Sequence, residues 1–259
     1  MDESGVVPPV SGMLDRIEAI LDSFDSHGRQ TLSEVADNTG LPKSTTHRLL
    51  AKLVQRRWLT ESGHEYELGD RLVEYGSRAI QQSTLHSVAV PVLERLRRAT
   101  GHVVHLGALD GEEVIYTYKT DVPEGYVLFS HVGGRKPIAR SPIGHALLAQ
   151  SVVPRCLPPR LDKVRRDGIA YVRNRVNCGV GTTIVSAGRP VAGLSVCGPV
   201  DLLSPESDLI RKVKDAAQII GESIPTAELR VTPVLQERQH KRARNVAASA
   251  SAEYASGYW

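Results

Sequence analysis

The chain has 259 residues, with 32 Lys and Arg against 29 Asp and Glu, for a formal net charge of +3. That length suits roughly two domains, and a charge so slight excludes a protein that coats nucleic acid or membrane without discrimination. Three cysteines, Cys156, Cys178 and Cys197, are too few and too scattered for a disulfide framework or a zinc knuckle. The start, MDESGVVPPV, lacks the cations and apolar core of a signal peptide. No run approaches the roughly 18 apolar residues of a membrane span. A soluble, cytoplasmic protein with no membrane association is expected.

Met1 to Ser11 reads as a flexible arm. Gly12 to Phe24 follows as a first helix, with Met13, Ile17, Ile20, Leu21 and Phe24 at mostly helical spacing. Thr31 to Leu59, TLSEVADNTGLPKSTTHRLLAKLVQRRWL, then reads as two short helices about a tight turn. Leu32, Val35 and Ala36 share one face of the first, Thr31 and Glu34 form a capping box, and Gly40 is its stop. Pro42 opens the second helix in its first turn, where a missing N–H costs nothing. That helix is expected to run to about Arg57, with Thr46, Leu49, Leu50 and Leu53 inward and Lys43, Ser44, Thr45, His47, Arg48 and Lys52 outward.

This is the pattern of a helix-turn-helix, whose second helix enters the major groove of duplex DNA. From Leu41 to Trp58 the chain carries Lys43, Arg48, Lys52, Arg56 and Arg57 and no acid, whereas Asp15, Glu18, Asp22, Glu34 and Asp37 lie before it. A plain helical hairpin with a solvated face has the same apolar spacing. Cations confined to one helix favour the DNA reading. Trp58 to Leu68 adds two short strands about Ser62-Gly63, the wing of a winged helix, whose residues Ser62 to His64 are placed to reach the minor groove.

Gly69 to Gln82 reads as a linker helix with Leu72, Val73, Gly76, Ala79 and Ile80 as its apolar stripe. Leu85 to Thr100 is helical, and Pro91 favours a restart in the middle of it. From Gly101 the period changes. HVVHLGAL and EEVIYTYK, separated by Asp110-Gly111, form a hairpin. Tyr126 to Phe129 reads as a further strand, Gly133 to Pro137 as a loop, and Ile143 to Gln150 as a helix. Past a short arginine-rich segment, Gly181 to Ser186 and Pro190 to Cys197 pair about Ala187-Gly188, and Leu209 to Gly221 closes the domain as a helix. The tail from Leu229 to Trp259, basic and then small and polar, reads as disordered.

The phrases TLSEVADNTGLPKSTTHRLLAKLVQRRWL, YELGDRLVEYGS, PVLERLRRATG, VGGRKPIARSPIGHALLA and AGLSVCGP together resemble the IclR family of bacterial transcription regulators, in the family's order from Met13 to about Ala227. The resemblance implies a GAF-like effector-binding domain after the winged helix, a first helix that helps dimerisation, and a small acidic effector. Carried over by position, the effector would meet Ser141, Pro142, Ile143 and Gly144 in the loop before the HALLA helix, and Ser195 and Cys197 on the last strand, which share a face with Gly193. The family's cysteine or small residue in the preceding strand falls near Thr182. Where the family carries acids, this chain has Gly168 to Arg175 with Arg173 and Arg175 instead. Arg173 is therefore a candidate clamp for a carboxylate or phosphate. The stretch from Gln150 to Val164 is also shorter than the family's, so part of the pocket wall is expected to be missing or rebuilt, and the effector altered or absent.

Gly193-Leu194-Ser195-Val196-Cys197 falls one residue short of a nucleophile elbow and lies in a strand. Gly179-Val180-Gly181 lacks the third glycine of a dinucleotide loop, and no phosphate-loop lysine motif occurs. His102 and His105, three apart in a strand, face opposite ways. No catalysis, cofactor or metal is expected.

The expected fold class is thus α+β. Residues 12–68 form a winged helix-turn-helix, 69–84 a linker helix, and 85–228 a GAF-like domain with an antiparallel sheet; 1–11 and 229–259 flank them. The expected function is a DNA-binding regulator acting as a homodimer or homotetramer on a double-stranded operator, a repressor answering to a small carboxylate. Ser44, Thr45 and Arg48 are assigned to base edges, and Lys43, His47, Lys52 and Arg57 to phosphates. The alternatives are an effector-independent regulator, or a winged helix used as a protein dock.

Overall fold

The computed structural model describes residues 12–24, 28–121, 128–151, 159–201 and 207–225. The arm, the tail and the first part of the Tyr126–Phe129 strand lie outside them; Leu128 and Phe129 are not in a strand. The chain falls into two compact units that meet between Gln82 and Ser83.

The first unit comprises α1 (Met13–Ser23), β1 (Gln30–Thr31), α2 (Leu32–Thr39), α3 (Lys43–Gln55), β2 (Leu59–Ser62), β3 (Glu65–Leu68) and α4 (Asp70–Gln81). Its core is Ile20, Phe24, Val35, Leu49, Leu50, Leu53, Leu59 and Tyr66. Local chemistry sets the helix ends. Thr31 Oγ1 accepts from the Glu34 N–H, and Glu34 Oε2 accepts from the Thr31 N–H at 2.7 Å. Gly40 takes φ +67 to stop α2. Pro42 is the N-cap of α3 rather than a residue of its first turn, one position earlier than the sequence reading.

α3 also ends earlier than expected, at Gln55. Arg57 adopts φ +60; its N–H reaches Val54 O at 2.8 Å, and the Trp58 N–H reaches Leu53 O at 2.9 Å. Together these are the two bonds of a Schellman stop. The three strands form one antiparallel sheet in the order β1-β3-β2, to which the sequence reading contributed only the hairpin. Removing the cap by Thr31→Ala should lower the stability of this unit by about 1 kcal/mol, read as a fall in the urea midpoint of its helical signal.

The second unit comprises α5 (Thr84–Thr100), β4 (Val103–Asp110), β5 (Glu113–Lys119), β6 (Arg135–Pro137), α6 (Pro142–Ser151), α7 (Pro159–Asp167), β7 (Ala170–Arg173), β8 (Asn177–Ser186), β9 (Arg189–Pro199) and α8 (Ser207–Ser223). Its antiparallel sheet runs β6-β5-β4-β9-β8-β7. One face packs on α5 and α8 through Val104, Leu106, Val180, Ile184, Leu194 and Val196. The other carries α6 and α7, through Ile143, Leu147, Leu148, Leu161 and Val164. A two-residue turn at Ala187-Gly188, with φ +45 and +73, joins β8 to β9 as the sequence reading placed it.

Three expectations are corrected here. α5 does not restart at Pro91 but runs through it, because Ala89, Val92, Leu93 and Leu96 keep one inward stripe across the proline, and Ser87, whose carbonyl loses its donor, is exposed to water. The Gly133–Pro137 loop ends in a strand, since β5 supplies partners, Val114 to Lys136 and Ile115 to Arg135. The arginine-rich segment is a helix, α7, and the residues after Gly168 form β7. Among the described residues no helix is long and apolar enough to cross a membrane.

Candidate nucleic-acid interface and effector face

Along α3 and its C-cap, Ser44, Arg48, Lys52 and Arg56 follow one another at intervals of four, a single stripe rising about 6 Å per step. All four are exposed, as are Lys43 and His47 beside them; Thr45 is half-buried at the edge of the core face. Lys43 Nζ donates to Ser33 Oγ at 3.1 Å, which ties the start of α3 to α2. Among the described residues Arg48, Lys52 and Arg56 have no carboxylate partner, whereas other cations of this unit do: Arg29 with Glu67 at 2.8 Å, and Arg71 and Arg78 with Glu74. The free charges are thus concentrated on the helix that a groove would receive.

Arg57 does not join that stripe. Its guanidinium lies 2.5 Å from Asp70 and 3.4 Å from Glu74, and the hydrogen bond to Arg57 holds the Asp70 carboxyl below the usual carboxylate range. The pair is exposed, with the Arg57 side chain 60% accessible, and it links the end of α3 to the start of α4. Gly69 completes that joint. A Cβ there would lie 2.3 Å from Arg57 O, so no other residue fits without moving backbone. Trp58 and Tyr75 close it edge-to-face at 6.3 Å.

In the second unit the register decides which candidate effector residues meet. Residues paired across neighbouring strands share a face. His105 is opposite Ser195, Gly107 opposite Gly193, and Gly179 opposite Cys197, all beneath the start of α6. Contact is close: a Cβ on Gly179 would lie 2.8 Å from both Pro142 Cγ and Cys197 Sγ, and one on Gly193 would lie 2.6 Å from Ile143 Cγ2. Ser141, Pro142, Ile143, Gly144, Ser195 and Cys197 are therefore gathered in one place. Ser195 Oγ and Cys197 Sγ are 3.7 Å apart, and burial pushes the Cys197 thiol up.

Thr182 and Arg173 are not part of this group. Thr182 pairs with Leu194, and Arg173 with Cys178, both on the reverse face with the α8 core. Thr182 Oγ1 donates to Gly168 O at 2.7 Å and lines a separate cavity of about 510 Å³ with Gln150, Lys214 and Gln218. An arginine clamp beside Ser195 is corrected on the same ground, because side chains on opposite faces of one sheet cannot grip one ligand.

Four further residues share the face with Ser195. His105, 1% exposed, has Nε2 2.8 Å from Ser130 Oγ, and its ring lies 4.7 Å from that of Tyr116. Burial, with Lys119 and Lys136 nearby, pushes the imidazole down to about 3. Burial raises the Tyr116 hydroxyl, which hydrogen-bonds Ser141. Lys119 pairs with His105, and Val114, opposite Leu109, pairs with Lys136, so both lysines point to this side. The neighbouring acids Asp110 and Glu113 lie on the reverse face, where both bind Arg135. The face therefore has cations and neutral polar groups and, among the described residues of β4, β5, β6 and β9, no carboxylate. Strand alternation in HVVHLGAL could have found His105; nothing local marks Lys136, since Gly-Gly and Pro around it signal a loop.

A winged helix whose second helix-turn-helix helix bears exposed cations without carboxylate partners among the described residues, joined in one chain to a sheet unit with a buried polar face, defines a DNA-binding transcription regulator. Family models for the IclR helix-turn-helix domain and the bacterial transcriptional regulator IclR C-terminal region match residues 13–63 and 77–155. The regulator RhmR of Escherichia coli is 29% identical over 225 residues, covering 76% of this chain and 85% of RhmR. The transcriptional repressor IclR of Escherichia coli is 33% identical over 131 residues, 49% of this chain and 47% of that one. The chain spans only 57% of the length of XynR of the same organism. A crystal structure of an IclR homolog from Microbacterium hydrocarbonoxydans, complexed with 4-hydroxybenzoate, superposes with a TM-score of 0.72 at 26% identity, covering 82% of this chain and 99% of that one. The chain belongs to the IclR family of bacterial transcriptional regulators.

Proposed function

We propose that this protein is a cytoplasmic, sequence-specific repressor that releases or grips its operator according to a small organic acid. The observation that carries the DNA half is the stripe of Arg48, Lys52 and Arg56, exposed and without carboxylate partners among the described residues. A dimer would set two copies of α3 in successive major grooves of a pseudo-palindromic site, about one helical turn apart. Dimerisation would also cover Met13, Leu14, Val73 and Ile80, large apolar side chains that the first unit leaves exposed; a tetramer would be two such pairs. Ser44, Thr45 and Arg48, near the start of α3, are assigned to base edges. Lys43, His47 and Lys52 are assigned to phosphates, contacts that position rather than specify. For the effector half, the support is the polar face with Lys119, Lys136 and, among the described residues of β4, β5, β6 and β9, no carboxylate, beneath Ser141 and beside Ser195. An acid bound there would act on the heads through α4.

Two substitutions separate reading from positioning. Arg48→Ala should cost about 1–3 kcal/mol and relax preference at one base pair, whereas Lys52→Ala should weaken all sequences alike and lower the salt slope by about one. Anisotropy titrations against operator variants at several salt concentrations measure both. Identical behaviour of the two mutants would show the division of roles to be wrong.

A further inference from the structure

The presumed reading helix, α3, and the helix that leaves the head, α4, meet at a joint with little apolar support. α4 buries none of its residues and adds none to the core of its unit, so no packing within that unit sets its direction. Trp58 meets Tyr75 edge-on and leaves it 43% exposed. The Gly69 N–H donates to Trp58 O at 2.8 Å, and the Arg71 N–H to Arg57 O at 3.2 Å. These two bonds act close to one point, as a hinge does. Arg57 adds a second point of attachment. Its Nε donates to Asp70 Oδ1 at 3.2 Å and its Nη2 to Asp70 Oδ2 at 2.5 Å, with Glu74 3.4 Å away. A two-pronged bond from guanidinium to carboxylate fixes direction as well as distance. Glu74, one turn further along α4, also pairs with Arg71 and Arg78, so the grip extends beyond the first turn. The charges suit both helix ends, a cation just past the C-terminus of α3 and an acid in the first turn of α4.

We propose that Arg57 is a positioning residue for operator binding: it latches α4 to the end of α3 and so fixes the direction in which each head presents its reading helix. This rests on the DNA reading above and goes beyond it. The backbone supports the same role. Arg57 takes φ +60, a region that disfavours a residue with a Cβ and that glycine occupies freely. A non-glycine residue held there points to a task for its side chain. An exposed ion pair adds little to the stability of a fold whose core lies elsewhere. Here it acts on the angle between two helices, which no core residue sets, so a small bond controls geometry while contributing little to folding. The competing role for Arg57 is a phosphate contact, and the two roles give Asp70 opposite signs. In the latch, Asp70 supports operator binding through Arg57. Beside a phosphate contact, Asp70 competes with DNA for the same guanidinium, and removing it strengthens binding.

The test is fluorescence anisotropy of the full-length protein on the DNA upstream of its own gene, across a salt series, with Arg57→Gly, Asp70→Ala and the double variant. Glycine suits φ +60, so Arg57→Gly should melt no lower than the wild type by circular dichroism, which keeps loss of binding distinct from loss of fold. Each single variant is expected to bind about three- to tenfold more weakly. The double variant should be no weaker than Arg57→Gly alone, because both changes break one bond. The salt slope should match the wild type in all three. Asp70→Ala removes a negative charge from the DNA-binding unit, so bulk electrostatics alone would tighten binding; weaker binding is the signature of the latch. If Arg57→Gly lowers the salt slope by about one while Asp70→Ala binds as tightly as the wild type or more so, Arg57 is a phosphate contact, and the latch is overturned with the DNA reading intact. Wild-type affinity in both single variants, or additive losses in the double, would overturn it too. If the wild type does not prefer native over shuffled DNA, the DNA reading falls and the latch with it.

Discussion

Leu50→Ala is expected to remove DNA binding by melting the head rather than by touching DNA. Leu50 is fully buried, on the inward side of α3, among Ile20, Phe24, Val35, Leu49, Leu53 and Leu59. Deleting a buried leucine to alanine costs about 2–5 kcal/mol, because the transfer term and the cavity left behind add. A unit the size of residues 12–81 has a net stability of roughly 4–10 kcal/mol, so the substitution removes a large share of it. In a small domain each kcal/mol moves the midpoint by about 4–8 °C. The first unit's thermal transition should fall by some tens of degrees at most and about ten at least, with the second unit's transition unmoved. A shift of only a few degrees would mean that Leu50 is not at the centre of the core.

Acid is expected to loosen the second unit through two buried histidines. Burial pushes His105 down to about 3, with Lys119 and Lys136 adding to it. Burial likewise pushes His145, whose Nε2 lies 2.9 Å from Ala139 O and which has Arg160 nearby, down to about 4. Both pKa values are depressed in the folded state, so the stability tied to neutral imidazole is complete above the unfolded value of about 6.5 and is lost as pH falls from there towards the folded values. At pH 5 the loss is about 2 kcal/mol per histidine, roughly 4 kcal/mol for the pair. Urea unfolding of the second unit at pH 7 and pH 5 measures it, and replacing both residues by Phe and Gln should flatten the dependence. Equal midpoints at the two pH values would contradict the neutral, buried assignment.

What the sequence reveals here is what short-range chemistry decides. The capping box of Thr31 and Glu34, the stop at Gly40 and the turn at Ala187-Gly188 each depend on residues within a few positions, and each stands where pattern alone puts it. The inward residues of α3 follow from helical period in the same way. Where the structure departs from pattern, a distant partner has decided. Pro91 sits inside α5 because the core stripe around it continues into the sheet. Arg135 to Pro137 pairs because β5 is there to receive it. Arg57 is paired with Asp70 and Glu74, thirteen and seventeen residues on.

The effector face shows the same division. Ser141 to Gly144 lie against the face of Ser195 and Cys197, since these positions follow strand and helix phase. Thr182 and Arg173 lie on the reverse face, because one residue of register moves a side chain through the sheet to the other side. Lys136 and His105 come to one face only through two successive strand pairings, β6 to β5 and β5 to β4, whose registers no local signal specifies.

The measurement that bears most directly on the central claim is fluorescence anisotropy of the purified protein on the DNA just upstream of its own gene, against shuffled DNA of equal composition, across a salt series. The account predicts tight binding to the native sequence, well above shuffled, with a salt slope that reports several phosphate contacts and that falls by about one in Lys52→Ala. Equal, weak binding to native and shuffled DNA, with no stronger site among genomic fragments captured by the protein, would contradict it.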